Sequence, residues 1–202
     1  PDAITIHKNL EKLKKKNINN VIIEASSHSL DQSRLNNINF KAGIFTNFTQ
    51  DHLDYHKTMN AYLKAKLILF SKILSKKSYV ISDKSIKQFS ILKKISKNRN
   101  LRLIDIKNKF DHIQNISNLF PGTFQKKNLS MAILAAQLCG LKTVKISSTL
   151  KKLKNIDGRL ELVKKFPNNI RVFIDYAHTP DALNNVINSI IKSYGKNISL
   201  VF

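Results

Sequence analysis

An α/β fold, with a mostly parallel sheet covered by helices, is what this sequence predicts. Three observations carry that expectation. Short apolar runs rich in β-branched residues alternate with longer stretches of helical spacing along most of the 202 residues. Hydrophobic residues make up 42 % of the chain and charged residues 24 %, which suffices for a buried core and does not fit a disordered tail. The turn pair Asp157-Gly158 interrupts the pattern, so one generous domain and the start of another are expected.

Taken in order, residues 3–16 set Ile6, Leu10 and Leu13 at helical spacing with Lys on the far face, which predicts a helix. NVIIEAS (20–26) reads as a buried strand and AGIFTNF (42–48) as a second one. NAYLKAKLILFSKIL (60–74) predicts a helix, YVIS (79–82) a strand, KSIKQFSILKKIS (84–96) a helix and LRLIDI (101–106) a strand. NLSMAILAAQLCG (128–140) predicts an Ala-rich helix closed by Gly140, and 143–154 a short one. Beyond the turn, LELVKKF and IRVFIDYA read as strands, and PDALNNVINSIIKSYG (180–195) as a helix with Pro180 near its first position. SLVF (199–202) reads as the start of a further strand. The expected division is 1–157 and 158–202. The chain opens at Pro1-Asp2 without an initiator Met or a signal-peptide pattern and closes inside an apolar run, so it reads as an internal piece of a longer protein.

The net charge of +22 invites a nucleic-acid reading. Its texture argues against one. Thirty of the 35 basic residues are Lys and five are Arg, they are scattered, and no aromatic residues are interleaved to stack bases. A basic binding module without catalysis remains the alternative from a different class. The single Cys139 excludes a disulfide framework and a multi-cysteine zinc site, and suits a reducing cytoplasm. No apolar run approaches the roughly 20 residues that span a bilayer.

Three clusters carry candidate chemistry. TNFTQDHLDYHKT (46–58) brings Asp51, His52, Asp54 and His56 just after a predicted strand, where α/β proteins place ligands. Such donors suit a hard divalent ion completed by phosphate oxygens, and equally suit an ordinary capping loop. EASSHSLDQSR (24–34) places Glu24 at the end of an apolar run, where a buried carboxylate needs a partner. Ser26, Ser27, His28, Gln32 and Arg34 follow with donors for a polar anionic ligand; no nucleophile-elbow pattern supports a Ser-His hydrolase. DYAHTPDAL (175–183) turns from strand to helix at Asp175, Tyr176 and His178, which fits either plain turn chemistry or a carboxylate facing a ribose diol.

Together, VIIEASSHSLDQSR, FTNFTQDHLDYHKTMNAYLKAKLILF, GTFQKKNLSMAILAA, DGRLELV and IDYAHTPDAL resemble the Mur ligases, in that family's order and over nearly the whole chain. The resemblance implies a P-loop-type central α/β domain at 1–157 and the opening of a Rossmann-like carboxyl-terminal domain at 158–202. It implies an ATP-dependent, ADP-forming amide ligase of cytoplasmic peptidoglycan synthesis, working as a monomer with Mg²⁺. Its substrates would be ATP, UDP-N-acetylmuramoyl-L-alanyl-D-glutamate and a diamino acid, either meso-diaminopimelate or L-lysine, with no nucleic acid or membrane partner. The route would run through an acyl phosphate.

By the same resemblance Glu24 and His52 match magnesium ligands, and Ser26, Gln32 and Arg34 match residues that hold the muramoyl substrate. Lys66 matches a carbamylated lysine, chosen over Lys64 by the Tyr-x-x-x-Lys spacing from Tyr62. Asn128, Arg159 and Asp175 match positions that contact ATP. The chain departs from the pattern in carrying Gln125 in place of Asn and Ser29 in place of Gly. It has no G-x-x-G-K-[ST] loop, amino-terminal substrate domain or amino-acid-selecting motif, so this stretch by itself is expected to be inactive. Folylpoly-γ-glutamate synthetase is the alternative that shares the mechanism.

Overall fold

The computed structural model describes residues 1–107, 122–150 and 152–201, which fall into two compact units, Pro1–Asp105 and Ile106–Phe202. The first unit is a parallel three-stranded sheet, β1 (Ala42–Phe45), β2 (Tyr79–Ser82) and β3 (Arg102–Asp105), in that order. Gly43 pairs with Val80 and Val80 with Leu103; Phe45 pairs with Ser82 and Ser82 with Asp105. Val80 and Ile81 point to opposite faces of the central strand, and both are fully buried, as a parallel sheet requires.

Helices α1 (Ala3–Lys15), α2 (Ser27–Asp31), α3 (Leu53–His56), α4 (Met59–Ile68) and α5 (Phe89–Arg99) surround this sheet. Asp2 caps α1 by accepting from the Thr5 amide at 2.8 Å, and Thr58 caps α4 by accepting from the Ala61 amide at 3.1 Å. The core joins Leu30 and Leu35 to Phe45, Phe70, Leu74, Val80 and Leu92. Gly43 lets α4's continuation press onto β1, since a Cβ there would stand 3.0 Å from the Phe70 ring.

The predicted helix 60–74 ends in a wider turn. Residues Leu69–Ile73 follow α4 as a π-helical turn, closed by the Leu74 amide on the Leu69 carbonyl at 2.8 Å. Arg99, in the last turn of α5, fills the carbonyls this turn leaves open. Its guanidinium donates to Ser71 O at 2.9 Å, Lys72 O at 3.2 Å and Leu74 O at 2.7 Å.

Four expectations need correction. NVIIEAS forms no strand: no neighbouring strand pairs with it among the described residues, and Ile22 is 93 % exposed. Apolar β-branched composition cannot make a strand without a partner for its backbone. The helix expected from residue 84 starts at Phe89, because Asp83 Oδ1 accepts from the Ser85 amide at 2.8 Å and holds a turn there. The helix expected from residue 128 starts at Thr123, after Gly122 at φ +93°. Residues 199–201 are not a strand, with Val201 95 % exposed; Phe202, and residue 151 within the short helix expected at 143–154, lie outside the described residues.

In the second unit α6 (Thr123–Leu138) and α7 (Thr143–Leu150) precede β4 (Glu161–Lys165), β5 (Arg171–Ile174) and α8 (Pro180–Tyr194). The strands pair antiparallel, Glu161 with Ile174 and Leu162 with Phe173, with a bulge between Leu162 and Lys164. No helix among the described residues is long and apolar enough to cross a membrane.

Arg99→Ala should lower stability by about 2 kcal/mol, because three backbone carbonyls lose a charged donor. Arg99→Lys should recover only part, since one ammonium cannot reproduce the planar fork. Urea midpoints at constant m-value measure both; an unchanged midpoint for Arg99→Ala would remove this clamp from the account.

Candidate active site

The loop leaving the carboxyl end of β1 supplies the first group. Asp51 Oδ1 accepts from the His52 amide at 2.8 Å, and its Oδ2 stands 3.6 Å from His52 Nε2. This contact supports a left-handed backbone at His52, φ +53°, which directs the chain into the single turn of α3. Ser26 caps α2, its hydroxyl accepting from the Ser29 amide at 3.2 Å and donating to Ser29 Oγ at 2.9 Å.

Between α2, α3 and α4 lies a cluster of rings. His28 meets His52 edge-on at 5.0 Å between centroids and lies 4.3 Å from Tyr55. His56 stacks on Tyr62 at 5.3 Å, and its Nε2 is hydrogen-bonded to Ser27 Oγ at 2.9 Å, both residues buried. Burial pushes the His56 imidazole below its ordinary value, and the neighbouring His28 and His52 push the same way. The buried Tyr62 phenol is pushed up to about 12, first by burial and then by Asp51.

Lys66 lies one helical turn beyond Tyr62, on the same face of α4. Its Nζ stands 5.1 Å from the Tyr62 ring centroid and 5.9 Å from that of Phe45. Burial pushes this amine below the ordinary lysine range, while Asp51 and Glu24 oppose the shift. Among the described residues no carboxylate reaches ion-pair distance of it. Lys64 points to solvent. Glu24 is exposed, correcting the expectation of a buried strand-end carboxylate; Val21 and Ile22 before it are exposed too, and only Ile23 packs against the core.

Gln32 and Arg34 follow α2. Arg34 donates from Nε to Gln32 Oε1 at 2.8 Å and from Nη2 to the same oxygen, while Nη1 donates to the Pro1 carbonyl at 3.2 Å. Gln32 Nε2 donates to the Tyr55 hydroxyl at 3.1 Å, and that hydroxyl donates to Asp31 Oδ2 at 3.1 Å. Sequence reasoning missed Tyr55 and the packing of Phe45 against Lys66. The aromatic inside DHLDYH was the available signal for Tyr55; nothing local pairs it with Asp31.

The second unit holds Asn128, Arg159 and Asp175. Asp175 follows β5, and its two oxygens accept from the Leu160 and Ala177 amides at 2.7 and 2.8 Å. Leu160 is in the left-handed region at φ +48°, with its side chain buried and its carbonyl accepting from Asn155 Nδ2 at 3.0 Å. The clamped turn leaves the Arg159 guanidinium exposed, 5.7 Å from the Tyr176 ring centroid. Gln125 Nε2 donates to the Arg159 carbonyl at 3.5 Å, and Asn128 lies exposed one turn further along α6. Glu24, Ser26, Gln32, Arg34, His52 and Lys66 thus belong to one unit, and Asn128, Arg159 and Asp175 to the other.

Residues 1–136 match the family model of the Mur ligase middle domain, and residues 158–202 that of the Mur ligase glutamate ligase domain. The UDP-N-acetylmuramoyl-L-alanyl-D-glutamate--2,6-diaminopimelate ligase of Rickettsia montanensis is 34 % identical over 224 residues, covering 100 % of this chain and 46 % of that protein. The ligase of the same name from Wigglesworthia glossinidia brevipalpis is 36 % identical over 228 residues, covering 99 % and 45 %. A solved structure of a ligase of that name superposes with a TM-score of 0.71 at 25 % identity, covering 94 % of this chain and 43 % of that one. MurF from Acinetobacter baumannii shares the fold, with a TM-score of 0.58 at 14 % identity over 75 % of this chain and 37 % of that one. The chain spans about half the length of the curated relatives it matches.

The folded state resists protonating His56, whereas the unfolded chain takes the proton near the ordinary value of 6.5. The stability this group contributes is therefore complete above that value and lost as pH falls toward the depressed folded value. Urea midpoints should fall from roughly pH 7 to pH 5, and His56→Gln should flatten that slope. Equal slopes in the two proteins would contradict the assignment.

Proposed function

Since this chain belongs to the Mur ligase family, matched in order by its middle and glutamate ligase domain models, we propose that it forms part of an ATP-dependent, ADP-forming amide ligase. The enzyme adds a diamino acid to UDP-N-acetylmuramoyl-L-alanyl-D-glutamate in the cytoplasm. The names of relatives 34 % and 36 % identical favour the muramoyl substrate over a folate, and 2,6-diaminopimelate over L-lysine. The domain boundary at 157/158 belongs to the same reading.

The observation that carries the proposal is Lys66, half-buried on two rings while Lys64 points to solvent. Desolvation favours the neutral amine, the form whose lone pair adds CO₂ and sheds a proton to leave a carbamate. That anion would stand near Asp51 and Glu24, the two carboxylates that act on the lysine's charge. Three anions gathered there need a cation.

The donor set fits Mg²⁺ on those terms. Glu24, His52 and the Lys66 carbamate would hold it, beside Asp51. Among the described residues no three His, Cys, Asp or Glu side chains come together as a metal site, so the carbamate, phosphate oxygens and water would have to supply most of the positions. When bound, the ion neutralises charge on the transferring phosphoryl group. Ser26, Gln32 and Arg34 orient the muramoyl substrate, whose acyl phosphate the incoming amine attacks. Asn128, Arg159 and Asp175 bind ATP, with Arg159 presented by the turn that Asp175 clamps.

In the protein at its full natural length, Lys66→Ala should nearly abolish amide formation, and added acetate should partly restore it by supplying the missing carboxylate. Lys64→Ala should stay near wild type, as exposed helix changes cost within about 0.5 kcal/mol. Loss with Lys64→Ala and not Lys66→Ala would refute the register. Glu24→Ala and His52→Ala should each lower turnover by orders of magnitude at saturating Mg²⁺. Near-wild-type rates in both would defeat the cation assignment.

A further inference from the structure

We infer that Tyr55 is a positioning residue for the muramoyl substrate, acting through Gln32 and Arg34; the inference rests on the substrate-binding role proposed for that pair. A directed chain of hydrogen bonds runs from cation to anion. Arg34 donates through two nitrogens to Gln32 Oε1, Gln32 Nε2 donates to the Tyr55 hydroxyl at 3.1 Å, and the hydroxyl donates to Asp31 Oδ2 at 3.1 Å.

The chain fixes an otherwise ambiguous amide. A guanidinium has donors only, so it must face the oxygen of Gln32, which turns the nitrogen toward Tyr55. The tyrosine hydroxyl then accepts from Gln32 and donates to the carboxylate, which accepts only. In this orientation each hydrogen bond of the chain pairs a donor with an acceptor. Reversing the amide would set Gln32 Nε2 against the guanidinium and its oxygen against a hydroxyl already committed to Asp31.

Tyr55 itself is held by packing. Its ring lies 4.3 Å from His28 and meets His56 edge-on at 4.7 Å between centroids. Because Tyr55 sits in the single turn that follows His52, it ties the arm carrying Gln32 and Arg34 to the loop carrying Asp51 and His52. Arg34 is steered from two sides, since Nη1 also donates to the Pro1 carbonyl at 3.2 Å. A free Gln-Arg pair would lose side-chain entropy on gripping an anion, and this network orders exposed Gln32 and partly buried Arg34 beforehand.

The test compares Tyr55→Phe, which keeps the ring and removes the hydroxyl, with Gln32→Ala, Arg34→Ala and the double variant Tyr55→Phe/Gln32→Ala. Steady-state kinetics use the full-length protein with UDP-N-acetylmuramoyl-L-alanyl-D-glutamate, ATP and meso-diaminopimelate. Tyr55→Phe should raise KM for the muramoyl dipeptide roughly tenfold, the scale of one or two hydrogen bonds, with kcat and KM for ATP within about twofold of wild type. The double variant should be no worse than Gln32→Ala, because both changes break one chain. An unchanged KM in Tyr55→Phe, while Arg34→Ala raises it, would overturn the role of Tyr55 and leave the substrate reading standing. A uniform fall in kcat with no KM change, or additive effects in the double variant, would also overturn it as the mark of a merely structural residue. If neither Gln32→Ala nor Arg34→Ala moves KM, the substrate reading fails and the inference with it.

Discussion

A lysine amine held partly out of water on two aromatic rings is the constraint around which the first unit is organised. An ammonium loses several kcal/mol when its hydration is stripped. A cation over a ring returns only about 0.5–2 kcal/mol. Asp51 and Glu24 act on Lys66 electrostatically without reaching ion-pair distance. The balance leaves the amine easier to deprotonate than an exposed lysine, and each 1.36 kcal/mol of that imbalance multiplies the neutral fraction about tenfold. The same surroundings that destabilise the cation favour the neutral amine from which the proposed carbamate would form. Structure and chemistry meet in that one side chain.

The packing that produces this imbalance is built from short segments. α4 sets Tyr62 and Lys66 on one face, and Tyr62 is fixed by the buried His56 stacked on it. His56 is in turn tied to Ser27 at the start of α2. Phe45, the last residue of β1, closes the other side and packs against Phe70, 5.9 Å away between centroids. Gly43 gives that helix room to approach the strand, and Arg99 secures the π turn in which the helix ends. A change at Arg99 therefore acts on the same helix that carries Lys66, without touching the site.

Much of this was legible in the sequence, and the failures have physical causes. YVIS reads as a strand and is one, because its β-branched residues sit between two partners and are buried on both faces. NVIIEAS has the same composition and no hydrogen-bonded neighbour among the described residues, so it stays open. Composition reports what a strand would bury, and pairing decides whether it exists. The late onset of α5 came from an Asp side chain competing for a backbone amide. The Tyr-x-x-x-Lys spacing of the resemblance selects Lys66 over Lys64, and on α4 that spacing sets Lys66 on the face of Tyr62 while Lys64 is exposed. The Tyr55–Asp31 contact spans 24 residues with no local trace, and only the folded chain brings it together.

The most direct measurement is carbon NMR of the protein equilibrated with ¹³C-bicarbonate and Mg²⁺ near neutral pH. One slowly exchanging carbamate carbon, coupled through its nitrogen to a lysine side chain, is expected, absent in Lys66→Arg and retained in Lys64→Arg. No such resonance in the wild-type protein, or one that survives Lys66→Arg, would contradict a carbamate at Lys66.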